Sequence, residues 1–81
     1  MIRMSAKTKL KPEEVVRRAV DFFGPGGSGP EVTEETAEYV CFVGGGGGVE
    51  VSIAPEGKGA LVELVSKEWD FQAKKFLDKI S

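Results

Sequence analysis

The stretch "CFVGGGGGVEVSI", residues 41–53, sets five consecutive glycines between two runs of strand-forming residues, and its reading decides the fold. Valine, isoleucine and aromatic residues suit a pleated, half-buried surface, whereas glycine packs nothing there. Five glycines inside strands would cost about 2.5–5 kcal/mol of chain entropy. A domain of this length has a net stability of only about 4–12 kcal/mol. The glycines therefore read as a flexible hairpin connection, with strands at 37–43 and 49–54 on either side. The second strand alternates cleanly, with Val49, Val51 and Ile53 on one face and Glu50 and Ser52 on the other.

Working outward, Pro55–Glu56–Gly57–Lys58 is a tight turn with glycine where a positive φ falls, and a third strand follows at 60–65. A short edge strand is expected at 31–33, with Glu34–Glu35–Thr36 as a turn. Residues 12–23 form a helix. Pro12 suits its first position, Glu13 and Glu14 face the positive end of its dipole, and Gly24 ends it as a left-handed cap. A second helix spans 67–80, with Trp69, Ala73, Phe76, Leu77 and Ile80 as its apolar stripe and Ser66 or Asp70 as its cap. The class is α+β: an N-terminal helix, a three- or four-stranded antiparallel sheet and a C-terminal helix, both helices on one face of the sheet. Residues 1–81 make one domain, of which 1–10 read as a disordered or extended tail.

Register follows from alternation, because a slip of one residue turns every side chain over. A symmetric five-glycine loop sets Val43 against Val49, Cys41 against Val51 and Tyr39 against Ile53. A Glu56–Gly57 loop sets Ala60 against Ile53, Val62 against Val51 and Leu64 against Val49. The core face then holds Tyr39, Cys41, Val43, Val49, Val51, Ile53, Val62 and Leu64. The second face holds Val40, Phe42, Glu50, Ser52, Leu61, Glu63 and Val65, more apolar than solvent exposure favours. Val40, Phe42, Leu61 and Val65, joined by Phe71 on the far side of the last helix, are the candidate interaction surface.

No catalytic, metal-binding or cofactor-binding residue is expected. The chain contains no histidine and one cysteine, which removes the usual base for a serine or cysteine nucleophile and ordinary zinc sites. "GPGGSG", residues 24–29, matches G-x-G-x-x-G letter for letter, but a helix precedes it and Pro30 follows, the reverse of the strand-then-helix context that pattern needs. Ser28 lacks the last glycine of a nucleophile elbow. Glu34, Glu35 and Glu38 lack calcium-loop spacing. Cys41 reads as a buried core thiol. A Glu50–Glu63 pair is the remaining route to carboxylate chemistry.

Eleven basic and thirteen acidic residues give a net charge of −2. The cations at Lys7, Lys9, Lys11, Arg17, Arg18, Lys74, Lys75 and Lys79 are scattered along the chain, without the concentrated basic stretch of a nucleic-acid binder. A single cysteine points to a reducing cytoplasm, and no apolar stretch is long enough for a signal segment or a membrane span.

Three segments together, "KPEEVVRRAVDFFG", "YVCFVGGGGGVEVSI" and "SKEWDFQAKKFLDKI", resemble a small bacterial or archaeal α+β domain family without an assigned activity. The resemblance covers residues 9–80 and implies the helix–sheet–helix order, with no catalytic residue to carry over. A closing helix across an antiparallel sheet is also similar to the helix-grip architecture of lipid-carrier domains, which uses about twice as many strands. The expectation is a non-enzymatic cytoplasmic interaction domain, homodimeric through the second sheet face. The alternatives are a small apolar ligand or lipid held between helices and sheet, and a carboxylate enzyme.

Overall fold

The computed structural model describes residues 1–24 and 30–81; the "GPGGSG" motif beyond Gly24, Ser28 included, lies outside the described residues. The chain runs β1 (Ile2–Thr8), α1 (Pro12–Phe23), β2 (Glu31–Glu35), β3 (Tyr39–Gly44), β4 (Gly47–Glu56), β5 (Gly59–Lys67) and α2 (Asp70–Ile80). The strands form one antiparallel sheet in the order β1-β5-β4-β3-β2. The α+β class and the placement of both helices on one face agree with the sequence reading, but the strands number five.

The added strand is β1, in the segment read as a tail. "IRMSAKT" alternates, and its Met4, Ala6 and Thr8 pair with Leu64, Val62 and Ala60 on the core face. Thr8 is buried; its hydroxyl donates to the Ile80 carbonyl and accepts from the Leu10 N–H. One side chain thereby ties the end of β1 to the last turn of α2, whose carbonyls have no partner within the helix.

Helix α1 forms as its composition dictates, with Pro12 at the first position and Glu13 and Glu14 in the first turn. Glu14 accepts hydrogen bonds from both Arg17 and Arg18, which hold its carboxyl below the usual range. Gly24 has φ −78°, a right-handed cap conformation in place of the expected left-handed one. Helix α2 begins later than its apolar pattern suggests, because β5 continues through Lys67. Neither Ser66 nor Asp70 caps it, and Trp69 stands ahead of its first turn. Val15, Val16, Ala19 and Phe23 from α1 and Ala73, Phe76, Leu77 and Ile80 from α2 pack on the sheet.

The largest correction is the register of β3. The glycines do not form a five-residue loop: Gly44 pairs with Gly47, and only Gly45 and Gly46 turn, both with positive φ (58° and 82°). Such a two-residue turn matches the twist of the flanking strands. Phe42 therefore faces Val49 and Val40 faces Val51, a slip of one residue that puts both in the core at 0% exposure. Tyr39, Cys41 and Val43 move to the other face. Between β4 and β5 the loop is Gly57–Lys58, so Ile53 faces Val62 and Val51 faces Leu64. That slip of two leaves each side chain on its expected face.

Ser66 is fully buried on the core face of β5, and its hydroxyl has no hydrogen-bond partner among the described residues. An unpaired buried hydroxyl costs about 1–3 kcal/mol. Ser66→Ala should therefore raise stability by about 1 kcal/mol, a shift of about 4–8 °C in the thermal midpoint of a domain this size. A lowered midpoint would mean that the hydroxyl is satisfied in solution.

Candidate functional site

With the helices covering one face of the sheet, no element among the described residues covers the other, open face, and strand pairing fixes which residues share it. One row across the sheet reads Arg3, Val65, Glu50, Cys41, Glu34 from β1 to β2. The next reads Ser5, Glu63, Ser52, Tyr39, and a third reads Lys7, Leu61, Ala54. On the other side of the first row lie Lys67, Gly48, Val43 and Glu31. Val43 is 51% exposed, and Leu61, Val65, Cys41 and Tyr39 are half-buried. Around Gly48, which carries no side chain, Val43, Val65 and Lys67 line a shallow depression of about 220 Å³.

The expected surface is thus brought together only in part. Leu61 and Val65 lie on the open face. Val40 and Phe42 do not; they are core residues, exchanged by the one-residue slip for Tyr39, Cys41 and Val43. Phe71 is 75% exposed on α2, part of the helical layer, with the Lys75 ammonium 5.9 Å from its ring centroid. Glu50 faces Val65 and Glu63 faces Ser52, so the carboxylates are not cross-strand partners, and both are exposed. Cys41 is half-buried at the sheet surface and is not a core thiol.

Tyr39 donates from its hydroxyl to Glu50 Oε1 at 2.9 Å. That bond, followed by desolvation and the neighbouring Cys41, pushes the phenol well above its ordinary value near 10. Tyr39 is the only tyrosine in the chain, so tyrosinate absorbance reports it alone. Its titration midpoint should lie above pH 10, and Glu50→Gln should lower it. A phenol that holds its proton more tightly when folded adds stability below its unfolded pKa, and that stability is lost as pH rises through the folded pKa. A midpoint unmoved by Glu50→Gln would remove the hydrogen bond as the cause.

Between the helices and the sheet the space is occupied by aromatic rings. Phe22, Phe23, Phe42 and Phe76 stack with centroids 5.0–5.6 Å apart. An apolar ligand placed there would have to displace them. Trp69 stands apart from this cluster: its indole N–H donates to the Gly44 carbonyl at 2.9 Å, over the glycine hairpin.

No protein-family model and no curated protein matches this sequence. Among solved structures, the chain is similar to the solution structure of the Aha1 dimer from Colwellia psychrerythraea. The TM-score is 0.62 at 16% identity, covering 96% of this chain and 86% of that one. At that identity the likeness shows the fold alone. Among the described residues no helix is long and apolar enough to cross a membrane.

Proposed function

We propose that this chain is a non-enzymatic association domain that pairs with a second copy of itself through the open face of the sheet. The observation that carries this reading is the gradient of charge across that face. Arg3 and Lys7 stand on β1 at one edge, and Glu31 and Glu34 on β2 at the other. Val65, Cys41 and Val43 lie between them. In a twofold packing with its axis along the strands, β1 of each copy crosses β2 of the other. Arg3 then meets Glu34 of the second copy, and Val65 meets Cys41. Glu50, which accepts from the Tyr39 hydroxyl, meets its own copy at the axis, a like-charge contact that opposes the pairing. The similar solved structure is that of a dimer, which supports the same reading.

Pairing through the sheet edges is disfavoured by the same charges. Two β1 strands aligned antiparallel about Ser5 would oppose Arg3 to Lys7, like charges in register. Strand β2 carries three glutamates and a register irregularity between Val32 and Glu34, features that protect an edge. Five strands about 4.8 Å apart give a contact on the order of 1,000 Å² in total, the lower limit for a specific interface. Association in the micromolar range is therefore expected.

Sedimentation equilibrium tests the proposal. The unmodified chain should sediment as a dimer at high micromolar concentration and Val65→Glu as a folded monomer, with a thermal midpoint somewhat lowered because the new carboxylate faces Glu50 across the strands. Arg3→Glu should weaken the dimer, and adding Glu34→Arg should restore it. A chain that stays monomeric at millimolar concentration, or a dimer indifferent to all three substitutions, would overturn the reading.

A further inference from the structure

The cations that look scattered in the sequence converge at one end of the fold. Lys7 and Lys9 come from β1 and the turn after it, Arg18 from α1 and Lys79 from the last turn of α2. Together with Thr8, Leu10, Ile80 and Ser81 they line a cleft of about 490 Å³. No aspartate or glutamate side chain lines it. A second depression of about 280 Å³ shares Arg18, Lys79 and Ile80 and adds Phe22, Phe76 and Asp21. The two adjoin at Arg18, Lys79 and Ile80; the first has basic walls, Asp21 is the one carboxylate on the second, and Leu10, Ile80 and Phe22 are apolar surface along both.

We infer that this groove binds a small anionic amphiphile, with a carboxylate or phosphate head against Lys9, Lys79 and Arg18 and an apolar body along Leu10, Ile80 and Phe22. The charge balance decides this. Lys7 is paired with Glu56 at 3.2 Å and Arg18 with Glu14 at 3.2 Å, whereas Lys9 and Lys79 have no carboxylate within 4.0 Å among the described residues. The carbonyl end of α2 also faces this region and attracts cations. Thr8 and Ser81, however, already donate to two of the last four carbonyls, those of Ile80 and Leu77, so neither ammonium group is needed at those two. The Lys79 ammonium sits 5.4 Å from the Phe22 ring centroid, so charge and apolar surface adjoin. The first cleft alone falls within the usual size of small-molecule sites, about 300–1,000 Å³. The groove borders the aromatic core at Phe22 and Phe76 and reaches the edge of the open sheet face at Lys7.

The test is a set of NMR titrations below micelle concentrations with sodium octanoate, octyl phosphate, octanol and octylammonium. Octanoate or octyl phosphate should give saturable shifts at Lys9, Leu10, Arg18 and Ile80, and whichever binds more tightly identifies the head group. Octanol and octylammonium should give none that saturate. Lys9→Glu with Lys79→Glu should weaken binding at least tenfold, as expected when attraction at two close charges becomes repulsion. Lys9→Gln with Lys79→Gln provides the same comparison should the doubly acidic chain fold poorly. Absent shifts with both anions, equal shifts with octanol, or binding unchanged in the glutamine variant would each overturn the inference.

Discussion

Phe42→Ala should destabilise the fold by about 3–5 kcal/mol, the usual cost of removing a buried phenylalanine. Phe42 is fully buried, its ring lies 5.1 Å from that of Phe23, and its strand partner is the buried Val49. Against a total of about 4–12 kcal/mol for a chain this size, the loss would remove about a quarter of the stability or more. Val43→Ala, one residue along the strand, should cost less than about 0.5 kcal/mol because surface substitutions away from special features are mild. Urea unfolding of both variants reads the register of β3 directly. The symmetric five-glycine loop reverses the order, with Val43 costly and Phe42 mild, and that result would show the two-residue turn to be misplaced by one position. The comparison also protects the dimer test, since a change at Phe42 would abolish association by unfolding the chain and report nothing about the open face.

The register of β3 is ambiguous in its residues. Tyr39, Cys41 and Val43 alternate with Val40 and Phe42, so both faces are apolar and hydrophobic period alone cannot choose between them. Five glycines then permit either register. The deciding contact is tertiary: Trp69, 25 positions away from Gly44, bonds to its carbonyl and fixes the end of the hairpin. In β4 the alternation is unambiguous; Leu61 and Val65 make both faces of β5 apolar, yet a two-residue shift of the turn keeps Val49, Val51, Ile53, Val62 and Leu64 on their expected face. The helices were legible for the same reason, a clear stripe on each. Strand β1 carries a weaker signal: Ile2, Met4 and Ala6 alternate with Arg3, Ser5 and Lys7, a period-two pattern that small and charged residues obscure. No local signal could have located the basic groove, because Lys9 and Lys79 are brought together only when β1 and α2 dock, with Thr8 holding the join.

The second large effect is expected at Gly47. A Cβ built there would stand 2.0 Å from the Lys67 carbonyl oxygen and 2.9 Å from the Glu68 Cβ, so Gly47→Ala cannot be absorbed by a change of rotamer. The end of β5 would have to move away from β4 at Lys67 and Glu68. Glu68 already holds a positive φ of 71°, which side chains other than glycine rarely adopt. Overpacking against flexible side chains costs about 1–3 kcal/mol, and against backbone the upper end or more is expected. Gly46→Ala isolates the other role of glycine, since nothing lies within 4 Å of its Cβ position and only its φ of 82° resists the change. That should cost about 1–2 kcal/mol, the penalty for a left-handed alanine. The chain has one tryptophan, Trp69, so its fluorescence during denaturation reports the hairpin it covers. Gly47→Ala should lower the denaturation midpoint more than Gly46→Ala and shift the Trp69 emission even before unfolding, because Trp69 follows Glu68 directly. Equal costs with unchanged emission would mean that the glycine run turns freely without β5 packed against it. Unequal costs would assign the run two distinct tasks: a left-handed turn at Gly45–Gly46, and room at Gly47 for the neighbouring strand to pass.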